Sequence, residues 1–500
     1  MASADGSRVL LRGGCVVTGD AAGTVWNPGD VEIDGDRVTA VGPHDPSATI
    51  DGADVVDCRD RLVIPGLVNS HSHIEEILQR SMRDALPLEP WFAYKAAIES
   101  ALDLPPDAWY SVVALGAMEM LTRGVTTVLH HYFCRPQLDL DKTDAVVRAY
   151  EHAGMRVFLA AAITDLRVYD TMPLDVAALP PALQDEVRTA PPPPWEAELE
   201  TAEEIVRRLT QKGGRIRPML GPSAPQRSTD RLLEWVMERR ERYGCRVHTH
   251  ALETRAQAVT SRERFRRPLF EHLESIGFLG PHTSFAHAIW LTRRDIDALG
   301  RTRTSVVHNP CSNLKLGDGV ARVPELLGAG ANVALGTDGG DTSDSYSVLD
   351  QMKLAALIQR VQSPDVDRWL TAEDAFRMGT LHGARLMGLE SEIGSLEAGK
   401  RADVVLLRRT VAFWPLNHPV RQLVLSENGS SVDRVYVDGR VVVRDGHVTG
   451  LDETAIFASI GELSARVHRA LPAAAAPADR WKPHLLAMHK RIAETFRLED

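Results

Sequence analysis

Short apolar runs alternate with helical patterns along the middle of the chain, and most of these runs end in a polar residue. Eight β-α alternations of this kind predict a parallel (β/α)8 barrel of the TIM type, in the α/β class. Because such barrels carry their chemistry at the C-terminal ends of the strands, the polar residues that close the runs are the candidate functional residues. The eight runs cover residues 62–73, 126–131, 156–160, 216–220, 245–250, 284–287, 304–308 and 332–336.

The two ends of the chain show a different pattern. Residues 8–60 contain short β-type runs around an Asp34-Gly35 turn, and residues 402–443 repeat this pattern around Asp438-Gly439. We therefore expect both ends to build one small β-sandwich. The predicted domains are 1–60 and 396–450 for the two parts of the sandwich, 61–395 for the barrel, and 451–500 for a C-terminal helical extension.

A long excursion, residues 165–215, separates the third and fourth predicted strands. Its proline run at 191–194 forbids helix and favours an extended spacer. Two interpretations stay open: the excursion covers the mouth of the barrel, or it is a surface connection without a role in substrate handling. The pattern assigns no role to the C-terminal extension.

Composition narrows the class of protein. The 500 residues are 44% hydrophobic with a net charge of −11, and no concentrated basic stripe indicates a nucleic-acid partner. We expect a cytoplasmic protein, since there is no signal-peptide pattern and no apolar stretch of about 18 residues that would enter a membrane. The five cysteines are scattered without CxxC spacing and are predicted to be reduced thiols.

The first run closes with His71-Ser72-His73. In a strand, residues i and i+2 share a face, so the two imidazoles can bind one divalent ion. A histidine pair also occurs on strands without a metal. The later ends of runs add His250, His287 and Asp338, and three histidines with one carboxylate suit Zn(II) or Fe(II) with one position left for water.

Several segments together resemble the amidohydrolase superfamily, in the branch of triazine hydrolases and adenosine-type deaminases, which act on S-adenosylhomocysteine and methylthioadenosine. The resemblance extends from about residue 8 to 450. The matching segments are 65–73, 250–254, 307–317, 336–339 and 399–403.

The resemblance implies roles for individual residues. Glu253 becomes the proton shuttle, and His287 hydrogen-bonds the attacking water or the substrate. His248 shares a strand face with His250 and is the rival ligand, although the spacing to Glu253 favours His250. One divalent metal, Zn(II) or alternatively Fe(II), is assigned to four ligands: His71, His73, His250 and Asp338.

A single metal is expected. Two-metal members of the superfamily use a carboxylated lysine at the end of the fourth strand, and this chain has no lysine between Lys212 and Lys315. The implied reaction is hydrolytic deamination of an amino-substituted N-heterocycle. An activated water attacks the ring carbon, Asp338 accepts the water proton, and Glu253 protonates first the ring nitrogen and then the leaving ammonia.

Substrate contacts are predicted at two places. Glu89 and Trp91 resemble the acidic ribose contact and aromatic wall of adenosine-type deaminases, with a capped helix and a core tryptophan as the alternative. His308 and Asn309 close the seventh run and are expected to line the pocket, or else to support it from behind.

Three departures from the adenosine-type pattern make an ordinary adenosine-type substrate doubtful and leave room for another heterocycle. Ser223 stands where those members carry a histidine, 130–131 is His-His where an acid is usual, and 75–76 is an acidic pair. The arginine-rich run 262–267 is either an anion site or a solvated face.

Two rival functions remain open. The same machinery could expel an alkylamine or a halide or open a cyclic amide, and a non-catalytic barrel module is disfavoured by the full ligand set. The expected partner is a small heterocyclic substrate, with neither nucleic acid nor membrane. The resemblance implies a homodimer or larger homo-oligomer.

Overall fold

A computed structural model describes residues 8–47 and 51–498. The strands are β1 (Arg8–Val17), β2 (Val25–Asp34), β3 (Arg37–Pro43), β4 (Asp54–Asp57), β5 (Arg61–Pro65), β6 (Leu67–His73), β7 (Val125–Tyr132), β8 (Arg156–Ile163), β9 (Ile216–Pro222), β10 (Arg246–Ala251), β11 (Thr283–His287), β12 (Ser305–His308), β13 (Asn332–Leu335), β14 (Asp338–Gly339), β15 (Val404–Arg408), β16 (Val432–Val437), β17 (Arg440–Arg444) and β18 (His447–Val448).

Helices alternate with the central strands. They are α1 (Leu88–Leu102), α2 (Pro106–Thr122), α3 (Leu140–Ala153), α4 (Pro181–Thr189), α5 (Trp195–Lys212), α6 (Asp230–Tyr243), α7 (Arg255–Phe265), α8 (Leu269–Ser275), α9 (Arg293–Thr302), α10 (Pro310–Lys315), α11 (Val323–Gly328), α12 (Val348–Ile358), α13 (Ala372–Met378), α14 (Leu381–Leu386), α15 (Pro419–Leu425) and α16 (Glu453–Thr495).

Strands β6–β14 form a closed parallel barrel. The order is β13-β12-β11-β10-β9-β8-β7-β6-β14, so the last strand returns to the first. Asp338 pairs with Ser72, and the Thr337 N–H donates to the His71 carbonyl at 3.1 Å. The predicted (β/α)8 barrel is confirmed, and all eight predicted barrel strands are present.

The barrel interior is apolar towards the N-terminal ends of the strands and polar towards their C-terminal ends. Val68, Leu129, Met219 and Val307 belong to one buried cluster that includes side chains of α14. Because side chains alternate along a strand, residues two positions further on face the same interior, nearer the C-terminal ends. This places Ser70, His131, Gly221 and Asn309 in the layer above the apolar one.

The second sheet combines both ends of the chain, as the sequence predicts. It has nine strands, in the order β18-β17-β16-β15-β5-β1-β2-β3, with β4 on β1. The predicted boundary at residue 60 differs from the structure, because Arg61–Pro65 is strand β5 of this sheet and pairs with β1 and β15. The apolar run at 62–73 therefore spans two strands, with the chain crossing from one sheet to the other at Gly66.

A buried ion cluster joins the two sheets. The Arg156 guanidinium, from barrel strand β8, lies 3.2 Å from Asp403 and 2.5 Å from Asp438 of the second sheet. Burial disfavours the ionised form of Asp438, but Arg156 and Arg401 outweigh it and hold the pKa of Asp438 below its usual value.

The excursion after β8 and the C-terminal extension pack against each other. Prolines 191–194 separate α4 from α5, as expected for an extended spacer. Leu179 and Leu183 share a buried cluster with Trp481 and Leu485 of α16. None of the helices in the described part of the chain is long and apolar enough to cross a membrane.

Candidate metal centre and substrate pocket

Three strands bring the four predicted ligands to one point. His71 and His73 lie at the end of β6, His250 on β10, and Asp338 on β14. Asp338 Oδ1 is 3.1 Å from His71 Nε2 and 3.4 Å from His73 Nε2. His73 Nε2 is 3.2 Å from His250 Nε2. His71, His250 and Asp338, together with His287, each place a ligand atom within 4.8 Å of the others.

Backbone strain accompanies this convergence. His287, Ala288 and Asp338 have φ values of 68°, 47° and 64°, and Leu252, next to Glu253, has 48°. Residues with a side chain rarely adopt this left-handed region, and where they do so the surrounding structure must hold them there, often at a functional site.

Hydrogen bonds assign the tautomers of His73 and His250. The Nδ1 of His73 lies 2.7 Å from the His131 carbonyl, and that of His250 lies 2.7 Å from the Ser223 carbonyl. A carbonyl accepts, so both Nδ1 atoms carry the proton and both Nε2 atoms present lone pairs. Two lone pairs 3.2 Å apart repel each other unless a cation lies between them.

A chain of hydrogen bonds through Ser284 and His248 assigns the tautomer of His71. The Ser284 hydroxyl donates to the Val247 carbonyl, so its oxygen accepts from His248 Nδ1 at 2.8 Å. His248 Nε2 then accepts from His71 Nδ1, also at 2.8 Å, which leaves His71 Nε2 as a lone pair facing Asp338. His248 thus lies behind His71.

The donor set fits a divalent metal. Burial lowers the pKa of His71, His73 and His250, which favours their neutral, ligating form. On Asp338, Oδ2 accepts from Ser312 and Thr342 at 2.6 and 2.9 Å, so Oδ1 faces the three imidazoles. Three imidazole nitrogens and one carboxylate oxygen are a donor set that zinc accepts.

Glu253 and His287 lie beside this centre. His287 Nδ1 donates to Asn313 at 2.9 Å, and His287 Nε2 is 3.5 Å from Glu253 Oε1. Burial raises the pKa of Glu253, so its carboxyl holds a proton at a higher pH than usual. This is the property that a proton shuttle requires.

His131 is a potential ligand that the sequence analysis did not assign. Its Nε2 lies 3.2 Å from the Gly221 carbonyl, and its Nδ1 has no hydrogen-bond partner among the described residues. Together with His71, His73 and His250 it forms a second set of atoms within 4.8 Å of one another. The sequence feature that could have indicated this ligand is the pair of histidines at 130–131, which ends the second run.

A candidate substrate pocket adjoins the centre. Its volume is about 50 Å³, and Glu253 and Gln257 lie on its wall. Side chains of α1 and of the loop after β9 complete the lining, among them Trp91, Phe92, Lys95, Gln226 and Arg227. Trp91 lines this cavity and donates its indole N–H to Asp341 at 2.9 Å. Glu89 instead lines a smaller adjoining space and accepts from Thr254 at 2.8 Å.

The other predicted substrate contacts lie behind the pocket. Asn309 Nδ2 is 3.4 Å from His287 Nδ1. His308 is on the opposite face of β12 from Val307, and burial lowers its pKa to about 3. Neither residue is on the wall of the pocket, which corresponds to the alternative of support from behind.

The acidic pair after His73 is internally compensated. Glu75 lies 2.8 Å from His130 and accepts from the Phe133 N–H, and Glu76 lies 2.9 Å from the buried Lys95 ammonium. Two of the departures in the sequence are therefore connected, because Glu75 of the acidic pair is the partner of His130, whereas Glu76 pairs with Lys95.

The arginine run 262–267 does not reach the substrate pocket. Arg266 and Arg267 line a separate cavity, and Arg264 donates to the carbonyls of Gln226 and Ser228 at 3.0 and 2.6 Å. No arginine of this run lines the pocket, so the structure does not support an anion site here for the tail of a substrate.

The chain is similar in sequence to a known protein family. The sequence pattern of the Amidohydrolase family matches residues 62–442. The chain belongs to the amidohydrolase family. It is 34% identical over 466 residues to a 5-methylthioadenosine/S-adenosylhomocysteine deaminase of Moorella thermoacetica, covering 92% of this chain and 99% of the relative.

Solved amidohydrolase structures share the fold. A zinc-bound adenosine deaminase from Xanthomonas campestris has 26% identity and a TM-score of 0.82, covering 93% of this chain and 99% of the other. A triazine hydrolase of Arthrobacter aurescens has 24% identity and a TM-score of 0.82, covering 92% and 99%, which shows the fold alone. The predicted family and a hydrolase of C–N bonds are confirmed.

Proposed function

We propose that this amidohydrolase deaminates an aminopurine nucleoside with a single zinc ion held by His71, His73, His250 and Asp338. The observation that carries the proposal is the convergence of three imidazole lone pairs and one carboxylate oxygen on one buried point. Relatives named as deaminases of 5-methylthioadenosine and S-adenosylhomocysteine support the substrate class.

The protein's own groups account for the proton transfers. When bound by these four residues, zinc would lower the pKa of a bound water to about 7 and so would supply a nucleophile near neutral pH. Asp338 accepts the proton of the attacking water. Glu253 takes up the other water proton and passes it to the ring nitrogen, and the proton held by Asp338 then reaches the leaving amino group through Glu253, so that this group departs as ammonia. His287, held by Asn313, hydrogen-bonds the attacking water.

The pocket orients the ring. Trp91 and Phe92 supply an aromatic wall, and Gln226 and Gln257 supply amides that can hydrogen-bond a heterocycle. Ser223 contributes its backbone carbonyl to His250, and its short side chain leaves more room than the histidine of adenosine-type members. A purine ring with its amino carbon toward Glu253 fits this division between an aromatic wall and polar groups.

The test is ammonia release by zinc-loaded protein from 5'-methylthioadenosine, S-adenosylhomocysteine, adenosine, aminopterins, aminopyrimidines and aminotriazines. We expect turnover of the aminopurine nucleosides and none by the Glu253→Gln variant with equal zinc content. Release of halide or alkylamine from triazines without ammonia from any nucleoside would overturn the proposal in favour of triazine-type hydrolysis.

Three further points belong to the proposal. The metal is zinc rather than iron, the protein is a homodimer or larger homo-oligomer, and it works in the cytoplasm, where its five free cysteines stay reduced. Elemental analysis of protein as purified and light scattering measure the first two. Cell fractionation measures the third.

A further inference from the structure

A large cavity beside α7 shares no lining residue with the substrate pocket. Its volume is about 390 Å³, compared with about 50 Å³ for the substrate pocket. Its walls come from α7, from the turn that connects α7 to α8, from the loop before α9 and from the segment that follows α16. None of the residues in the proposed reaction lines it. The walls include Ser261, Arg266, Leu269, Trp290, Thr292 and Phe496.

The walls of this cavity carry an excess of positive charge. Four arginines line it, and Asp295 is the one carboxylate among the described lining residues. The Asp295 carboxylate is already engaged, because it accepts from the Phe270 N–H and from the N–H and hydroxyl of Thr292 at 2.7 to 2.9 Å. In a chain with a net charge of −11, this concentration of guanidinium groups indicates a site for an anion. The four arginines are Arg262, Arg266, Arg267 and Arg294.

Three of these arginines have donors that no carboxylate holds firmly. The Arg266 guanidinium makes no hydrogen bond or ion pair with the part of the chain that the structure describes. Arg267 Nη2 donates to an imidazole, the Nδ1 of His272, at 3.2 Å. Arg294 comes no closer than 3.8 Å to Glu271, and both side chains are exposed, so this ion pair contributes little. These guanidinium groups can therefore bind a ligand.

A buried hydroxyl in the wall also has no partner. Ser261 is 2% exposed and lines the cavity. Its Oγ makes no hydrogen bond with any residue in 8–47 and 51–498. Because burial of an unpaired hydroxyl is unfavourable, such groups normally have a protein, water or ligand partner. Ser261 thus offers a hydrogen bond to an occupant of this cavity.

The remaining wall is apolar and partly aromatic. Leu252 and Leu269 line it together with the rings of Trp290 and Phe496, which meet edge to face with centroids 5.6 Å apart. The Trp290 indole N–H is already engaged, since it donates to the Asp318 carbonyl at 2.9 Å. This wall can therefore cover a flat ring without selecting the polar groups at the edge of that ring.

We propose that this cavity binds a phosphorylated nucleoside at a site separate from the substrate pocket. The phosphates are bound by Arg266, Arg267 and Arg294 and by the Ser261 hydroxyl, and the ring of the base lies against the apolar wall at Trp290. Arginine suits this role because its planar group presents several N–H donors to phosphate oxygens. The proposed substrate carries no phosphate, so this inference does not depend on the proposed function.

The experiment is calorimetric titration of the full-length zinc-loaded protein with uridine 5'-diphosphate. Its ring bears no amino group, so hydrolytic deamination cannot consume it. Inorganic phosphate and uridine are titrated separately. We expect the diphosphate to bind more tightly than either, because phosphate alone leaves the apolar wall uncovered and uridine alone leaves the arginines without an anion. Its affinity should fall as the salt concentration rises.

Variants of the wall test the contacts. Arg266→Gln should weaken binding of uridine 5'-diphosphate by about 10- to 100-fold, because a charge-assisted hydrogen bond is lost, and Ser261→Ala should weaken it by roughly two- to tenfold. Arg303→Gln is the matched control. Arg303 is exposed, follows helix α9 with a φ of 55° as Arg266 follows α7 with a φ of 57°, and does not line this cavity.

Arg227→Gln distinguishes the two sites, because Arg227 lines the substrate pocket. Loss of affinity for uridine 5'-diphosphate in Arg266→Gln, with the affinity kept in Arg227→Gln and Arg303→Gln, supports the inference. Loss in Arg227→Gln instead would place the nucleotide in the substrate pocket and overturn it. Equal affinities in Arg266→Gln and Arg303→Gln, or no binding of the diphosphate by the unmodified protein, also overturn it. Inorganic phosphate bound as tightly as the diphosphate would contradict a nucleoside as the occupant.

Discussion

Gln257 hydrogen-bonds Glu253 at two points. Its side-chain Nε2 donates to Glu253 Oε2 at 3.1 Å, and its Oε1 accepts from the Glu253 backbone N–H at 3.0 Å. Since Oε2 is occupied, Glu253 Oε1 is the atom that faces His287. One residue in the first turn of α7 thus orients the proposed proton shuttle.

Glu253→Gln should retain the metal and lose turnover. The amide keeps the size of the side chain but cannot carry a proton between ring nitrogen and ammonia, so kcat should fall by about 10²- to 10⁴-fold. Ammonia release and zinc content are measured on the same sample. Turnover equal to that of the unmodified protein would exclude Glu253 as the shuttle.

Gln257→Leu should reduce turnover less severely. The shuttle keeps its chemistry but loses its orientation, and misplacement of a reacting group by about 1 Å costs on the order of 10²-fold in rate. We expect kcat to fall more than KM rises, and the acid limb of the pH–rate profile to shift because one hydrogen bond to the carboxylate is gone. Recovery in Gln257→Glu, or an unchanged profile in Gln257→Leu, would contradict this positioning role.

His250→Ala should abolish metal binding, whereas His248→Ala should retain it. His248 reaches the centre only through His71 Nδ1, so its loss removes an orienting contact and weakens metal affinity by about 10- to 100-fold. Zinc titration against a chelating competitor distinguishes the two. Stronger loss in His248→Ala than in His250→Ala would reverse the ligand assignment.

Metal removal should lower stability. A ligand that binds only the folded state stabilises it by about 2.7 kcal/mol at 100 times its dissociation constant. Thermal unfolding of chelator-treated and zinc-restored protein measures this change. The same comparison on His73→Ala is the control, since a variant that has lost a ligand should respond little to added zinc.

Asp438→Asn should destabilise the protein at neutral pH and not in acid. The folded pKa of Asp438 is below its unfolded value, so the unfolded chain binds more protons, and the stabilisation is present above about pH 4 and lost as pH falls through the folded pKa. Breaking this buried contact with Arg156 should cost about 3 kcal/mol at pH 7.

The matched control is Asp36→Asn. Asp36 also pairs with an arginine, Arg401, but it is exposed, and exposed ion pairs contribute little. Denaturant unfolding at pH 7 and pH 3 measures both variants. If the two variants lose the same free energy of unfolding at pH 7, burial does not explain the contribution of the Arg156 cluster to stability.

Much of the barrel and its centre could be predicted because both depend on position along strands. Periodicity identifies the strands, and residues at strand ends, such as His73 and His250, must then meet. The domain boundary predicted between residues 60 and 61 was misplaced because Gly66, where the chain passes from one sheet to the other, does not interrupt the apolar pattern. The strands before and after Gly66 are similarly apolar.

The rest depends on contacts between distant segments. Nothing in the local sequence pairs Glu76 with Lys95 or Thr254 with Glu89. Helix α16 contains Pro472, Pro477 and Pro483, residues that normally interrupt a helix, so sequence rules do not predict one helix of 43 residues. The cavity beside α7 is equally invisible before the packing is known.

The pairing of β14 with β6, which we call the seam of the barrel, connects metal binding with local opening of the fold. The two-residue strand β14 pairs with β6, and the proposed ligands stand on both sides of that pairing. A metal held by His71, His73 and Asp338 would cross-link the first and last strands of the barrel. Local opening of the seam and release of the ion would then be one event, and slow amide exchange at Thr337 would report metal occupancy.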